Sequence, residues 1–303
     1  MIDLVKKNGM CLGFAKKKFR DDPEIVLTAI RQNCLALKFA SRRVRDDHKV
    51  MLAAVQQDGG ALRFVSERLR DDPEIVLAAV QHGGSLQYAS ERLRDDREIV
   101  LATIQQCAAA LTYTSARLRD DPEIVLAAVQ QDWWALECAS ERLRDDREIV
   151  LAAVKQDGRA LKYASDGCRA DSEIVLVAVE DNTWVLKYAS ERLLDDRKFV
   201  LAAINAMKQT GGVLQYASER LKDDSEIVLA AVKNDAWALE YASGRLRDDH
   251  EIVLAAIQQQ AFTLQLASEK LRANPKIVLA AVQQNAWALQ YASEKLRFIE
   301  VNK

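Results

Sequence analysis

The chain has 303 residues, 49% hydrophobic and 29% charged, so it can bury a core and stay soluble. Its 43 basic and 45 acidic residues leave a net charge of −2, which lacks the basic excess of a dedicated nucleic-acid or anionic-membrane binder. Five scattered cysteines (Cys11, Cys34, Cys107, Cys138, Cys168) form no Cys-x-x-Cys pair, which excludes a disulfide framework and a cysteine zinc site.

Residues 1–20 read as an incomplete first repeat. Their lysines and arginine (Lys6, Lys7, Lys16, Lys17, Lys18, Arg20) are expected on a solvated face. No apolar run is long enough to span a bilayer, and the N-terminus has no signal-peptide core. From Asp21 onward one pattern recurs. Copies begin at Asp21, Asp46, Asp71, Asp95, Asp120, Asp145, Ala170, Asp195, Asp223, Asp248 and Ala273, almost all 25 residues apart. A fixed period in this range is the signature of stacked repeats.

Unit 46–70 displays the pattern. Its first half, through Val50–Val55, predicts a short helix A. The first aspartate with a glutamate three residues on, as in Asp71 and Glu74, suggests a capping box. Pro23, Pro73, Pro122 and Pro275 fall in the first turn, where proline costs no hydrogen bond. The Ile-Val-Leu-Ala-Ala-Val core is apolar all round, so helix A is expected to be buried on most sides. A polar tip then ends the helix. Ala61, Leu62, Phe64, Val65 and Leu69 share one face of a predicted helix B, opposite Arg63, Glu67, Arg68 and Arg70. The next aspartate pair follows directly, giving a short turn and antiparallel neighbours.

Two irregularities interrupt the series. Unit 145–169 ends in Asp166-Gly167-Cys168-Arg169 with Ala170 in place of the next first aspartate. Unit 195–222 carries a long tip, Met207 to Gly212. Both are expected to be soft points, because a weak unit in a stacked array opens locally. After Arg297 the pattern stops.

Written as Leu-Gln-Tyr-Ala-Ser-Glu-Arg-Leu-Arg-Asp-Asp-Arg-Glu-Ile-Val-Leu-Ala (Leu86 to Ala102), the unit resembles the tandem family called domain of unknown function 4116, over nearly the whole chain. That family is associated with bacteria, including intracellular ones, and with protists. It has no established activity, so the resemblance implies an α-helical repeat protein without an assigned function. The unit is more weakly similar to the leucine-rich repeat variant, another short helical repeat. A true leucine-rich repeat has an Asn after alternating leucines, whereas the central Ala-Ala favours helix over strand.

Several columns could carry chemistry. A serine recurs from Ser41 to Ser293 with no histidine partner, so close helix packing explains it better than nucleophilic catalysis. Helix caps account for the aspartate pairs without calcium. His48, His82 and His250 have no metal-ligand spacing. The seven tyrosines share one column of helix B and are expected to pack in the core. Trp134, Trp184, Trp237, Phe262 and Trp287 share the column just before helix B, with Trp133 beside them. Other units hold Gly60, Ala109 and Arg159 there, so this column is not essential to the core. Its rings suit either a staple onto the next unit or anchors for a partner.

The resulting expectation is an all-α chain, an α-solenoid of about eleven 25-residue helix-turn-helix repeats. Residues 21–297 form the array, with 1–20 as the incomplete repeat and 298–303 as a tail. Its function is expected to be a non-enzymatic scaffold. It binds a partner, foremost a protein, through its tips and one continuous face. The alternative is a structural solenoid that self-assembles through its ends. The candidate partner-binding residues are Trp133, Trp134, Trp184, Trp237, Phe262 and Trp287. No catalytic residue, cofactor or metal is expected. The free cysteines place the protein in a reducing compartment, the cytoplasm, with a host cytosol as the alternative.

Overall fold

The computed structural model describes residues 2–180, 182–207 and 212–297. Among these residues every regular element is helical, and no strand occurs. The chain divides into two compact units, Met1–Gln156 and Asp157–Lys303.

Each repeat is built from three helical pieces where the sequence suggested two. In the first unit one repeat runs through the α-helix His48–Gln57, the 3-10 helix Gly59–Phe64 and the four-residue α-helix Glu67–Arg70. In the second unit His250–Gln259, Ala261–Leu266 and Glu269–Arg272 repeat the plan. Residues 2–20 hold the same pieces as Ile2–Lys7, Gly9–Phe14 and Lys17–Arg20. The expected helix B is therefore broken. Val65 and Ser66 are extended, with ψ of 149° and 157°. The Ser66 hydroxyl then caps the last piece by accepting from Leu69 N at 3.3 Å. The apolar positions survive the break. Ala61, Leu62, Val65 and Leu69 are buried, and Phe64 is half-buried.

The long helix is capped by the second aspartate of each pair. Asp72 Oδ1 accepts from Glu74 N at 2.9 Å and Ile75 N at 3.3 Å, and Pro73 opens the first turn. The expected capping box on Asp71 does not form, because Asp71 sits at the C-terminal end of the preceding short helix with φ −98° and ψ 8°. Burial is also one-sided. Ile75, Val76, Ala79 and Val80 are buried, whereas Leu77 and Ala78 stay partly exposed. Four buried positions in this nine-residue helix suffice because it lies between two other long helices. Pro73–Gln81 packs against His48–Gln57 and Arg97–Ile104. In the second unit His250–Gln259 packs against Ser225–Asn234 and Pro275–Gln284. A fully buried Ile, Val or Leu contributes roughly 1.5–3 kcal/mol, so the apolar faces that meet between repeats hold the stack.

The first aspartate has a different task, joining one repeat to the next. Asp71 accepts from Ser90 Oγ and, at 2.9 Å, from Arg92 Nε. Arg92 Nη2 also donates to the Asp71 carbonyl at 2.7 Å, and Ser90 N donates to the Arg70 carbonyl at 2.9 Å. The same joint recurs at Asp46–Ser66–Arg68 in the first unit and at Asp223–Ser243–Arg245 in the second. Lys270 replaces the arginine opposite Asp248. The serine column is thus a bridge, not a spacer for close packing. Its hydroxyl, ahead of the guanidinium, holds the Asp71 carboxyl below its ordinary value of 3.8.

Ala170 and Ala273 remove the carboxylate from two joints of the second unit. Ser190 keeps its cap on Leu193 N at 3.2 Å but has no aspartate to meet. Ser190→Ala is therefore expected to cost about 1 kcal/mol, the value of a helix cap. Ser243→Ala loses cap and bridge together and should cost measurably more. Urea unfolding of the two variants checks the order, and equal losses would count against the bridge.

Of the two expected soft points, one lies within the described residues and the other partly outside them. Asp166–Arg169 is helical despite Gly167, with Ser165 Oγ accepting from Cys168 N at 3.1 Å. In the long tip, residues 208–211 lie outside the described residues, as does the 298–303 tail.

Candidate functional site

The tips owe their geometry to a second cap. A polar residue closes the long helix and opens the 3-10 helix, and its side chain takes the amide two residues on. Asp132 accepts from Trp134 N at 3.0 Å, Asn182 from Trp184 N at 3.1 Å, Asp235 from Trp237 N at 2.9 Å and Asn285 from Trp287 N at 3.0 Å. Gln260 makes no such bond ahead of Phe262. The tryptophan backbone is thereby fixed at the second position of a rigid piece, and the ring is carried at the tip.

The rings differ in what covers them. Trp237 is 39% exposed and Trp287 76% exposed. Trp133, Trp134, Trp184 and Phe262 are partly covered. Phe262 meets Tyr291 of the following repeat edge-on, with centroids 6.1 Å apart. Trp184 meets Tyr188 of its own repeat at 5.9 Å, and Lys187 Nζ lies 4.3 Å from the Trp184 centroid. In the second unit Phe262 therefore packs between repeats, whereas Trp237 and Trp287 present apolar surface to solvent. Arg159, in the same column, forms an ion pair with Asp157 at 2.6 Å.

The tyrosine column is not core. Phe64, Tyr88 and Tyr113 in the first unit, and Tyr216, Tyr241 and Tyr291 in the second, are all partly exposed. Cations lie on several of these rings, such as Arg63 at 4.7 Å from the Phe64 centroid and Lys187 at 4.8 Å from Tyr188. The ring therefore buries one side and leaves the other at the surface. The single helical face drawn through Ala61, Leu62, Phe64, Val65 and Leu69 placed this column inward because it assumes an unbroken α-helix, and the 3-10 piece turns the ring partly outward.

His48 also gains neighbours the sequence did not reveal. Its Nε2 lies 3.3 Å from Asp72 Oδ2 and 3.5 Å from Glu74 Oε2, across a repeat joint. These three side chains could hold a metal ion. Arg97 stands at the same place against Asp121 and Glu123, and Arg197 against Asp224 and Glu226. The position is thus a slot for a positive charge, which an arginine fills elsewhere. The clue was columnar: a third-column base falls one repeat before an Asp-x-Glu.

Among the cysteines, Cys34 is buried and its thiol is pushed up to about 12, chiefly by burial and then by Asp58. Cys107 is exposed. No described helix is long and apolar enough to cross a membrane.

No curated protein matches the chain, and no solved structure does. The family model for a domain of unknown function, number 4116, matches residues 1–45, 47–94, 81–119, 121–169, 171–206, 204–247 and 249–297. Those seven matches run across nearly the whole chain, and the chain belongs to the domain of unknown function 4116 family.

Proposed function

We propose that this chain is a non-catalytic scaffold that holds a protein partner on its tips. In this reading its three-piece repeats, about eleven after the first, continue as one α-solenoid. The observation that carries the reading is the exposure of Trp237 and Trp287 on capped, rigid tips. The part of such a ring left in solvent gains nothing for folding, whereas tryptophan buried on association is a typical binding hot spot. The partly exposed tyrosine column offers a second row of amphipathic rings along one face. Free cysteines in five separate columns fit a cytoplasmic setting.

A second reading is favoured by a specific observation. Ile2, Leu4 and Phe14 are exposed in the first repeat, and Leu279 and Trp287 in the last. Such apolar surface would suit stacking of one copy on another through its ends. Light scattering after size exclusion separates the readings, since end-stacking predicts assemblies that grow with concentration. Capture from a cell extract then tests the first. A partner retained by the wild type should be lost when Trp237→Ala and Trp287→Ala are combined in a folded chain. Equal capture by both chains would refute the tip assignment.

A further inference from the structure

We infer that the joint at Ala170 is a receptor for a carboxylate supplied in trans, the acidic side chain of a partner peptide. This rests on the scaffold reading above and names the chemistry of one contact. At the other joints of the second unit that carry the aspartate, Asp195, Asp223 and Asp248, a carboxylate accepts from a serine hydroxyl and a basic side chain of the next repeat. Ala170 lacks that carboxylate, but the joint keeps its register. Ser190 N still donates to the Arg169 carbonyl at 2.9 Å. Arg192, the counterpart of Arg220 and Arg245, makes no hydrogen bond or ion pair among the described residues.

Space accompanies the missing group. Ala170 and Arg192 line a cleft of about 500 Å³, floored by Leu176, Phe199 and Ala202. Lys198 lines it too, in a column where Glu226 and Glu251 stand in later repeats. Two positions that carry negative charge elsewhere are thus neutral or positive here. The one acid on the lining, Asp196, is engaged as the cap of its own helix, accepting from Phe199 N at 3.0 Å. The cleft therefore offers two cations over an apolar floor, which suits an acidic residue flanked by aliphatic ones. A carboxylate there would regain the charge-assisted contacts, from a serine hydroxyl and an arginine Nε, that the neighbouring joints build internally.

The test uses the full chain and two blocked tripeptides, acetyl-Leu-Asp-Leu-amide and acetyl-Leu-Asn-Leu-amide, followed by 15N NMR. The aspartyl peptide should shift the Arg192 Nε–H and Ser190 amide signals saturably. The asparaginyl peptide should bind about tenfold more weakly or worse, the loss of one charge-assisted contact. Ala170→Asp should abolish binding by filling the slot internally, and should raise the unfolding midpoint, which also shows that the variant is folded. Arg192→Ala should abolish binding as well. Absent shifts, equal shifts with both peptides, or undiminished binding by Ala170→Asp would overturn the inference. Sodium acetate or phosphate matching the peptide in affinity would make this a free-anion site and overturn the peptide assignment. If capture through Trp237 survives while the peptide fails, this inference alone falls. If the peptide binds while the tip variants capture normally, only the tip assignment falls.

Discussion

Leu239→Ala is expected to cost about 2–5 kcal/mol of folding stability, the range for truncating a fully buried leucine without collapse of the site. Leu239 is 0% exposed and lies in the 3-10 helix Ala236–Tyr241, which packs on Ser225–Asn234 and on His250–Gln259 of the next repeat. The cavity would open on both sides of one joint, so the loss is shared by two repeats. Trp287→Ala, at a tip ring 76% exposed, should stay within about 0.5 kcal/mol of the wild type, as for most surface substitutions. Urea unfolding followed by circular dichroism measures both. A cost below about 1 kcal/mol for Leu239→Ala would mean that the 3-10 layer does not belong to the core.

Acid should unfold the chain through its joints. Asp21, Asp46, Asp71, Asp95, Asp120, Asp195, Asp223 and Asp248 are all held below their ordinary value of 3.8, first by the serine hydroxyl of the next repeat. A carboxylate whose folded value is depressed contributes stability that is fully present above its unfolded value. That stability is lost as the pH falls through the folded value. Each joint therefore weakens below about pH 3.8, and because the joints act in series their losses accumulate. Helical signal should fall in a transition below that pH. Replacing Asp71 and Asp223 by asparagine should flatten the dependence. A thermal midpoint that does not move between about pH 5 and pH 2 would contradict this role for the joints.

Much of the architecture was legible because it repeats. The long helix follows from the Ile-Val-Leu-Ala-Ala-Val run, and its boundary from proline and a capping acid. Which acid caps was not legible, since Asp71 and Asp72 are chemically identical. Only backbone conformation separates them: Asp72 is extended at ψ 116°, as a cap must be, and Asp71 ends a helix. The break in helix B was hidden for another reason. Val65-Ser66 and Ala89-Ser90 contain no glycine or proline, and a four-residue helix is too short to show periodicity. The clue was the serine three residues before each buried leucine, a cap read as a spacer. The exposed tips were partly legible. Tolerance of glycine, arginine and tryptophan in one column marks a position outside the core. Coverage by a neighbouring ring, as Tyr291 gives Phe262, depends on packing that spacing alone does not fix.

In the proposed scaffold the exposed tip rings serve association and not folding. Partner affinity and unfolding free energy, measured on one Trp287→Ala sample, separate the two roles. The unfolding free energy should lie within about 0.5 kcal/mol of the wild type. Binding should lose at least about 2 kcal/mol, roughly thirtyfold in Kd. A variant that binds as tightly as the wild type but unfolds several kcal/mol more easily, at about the cost of a buried aromatic, would contradict the association role.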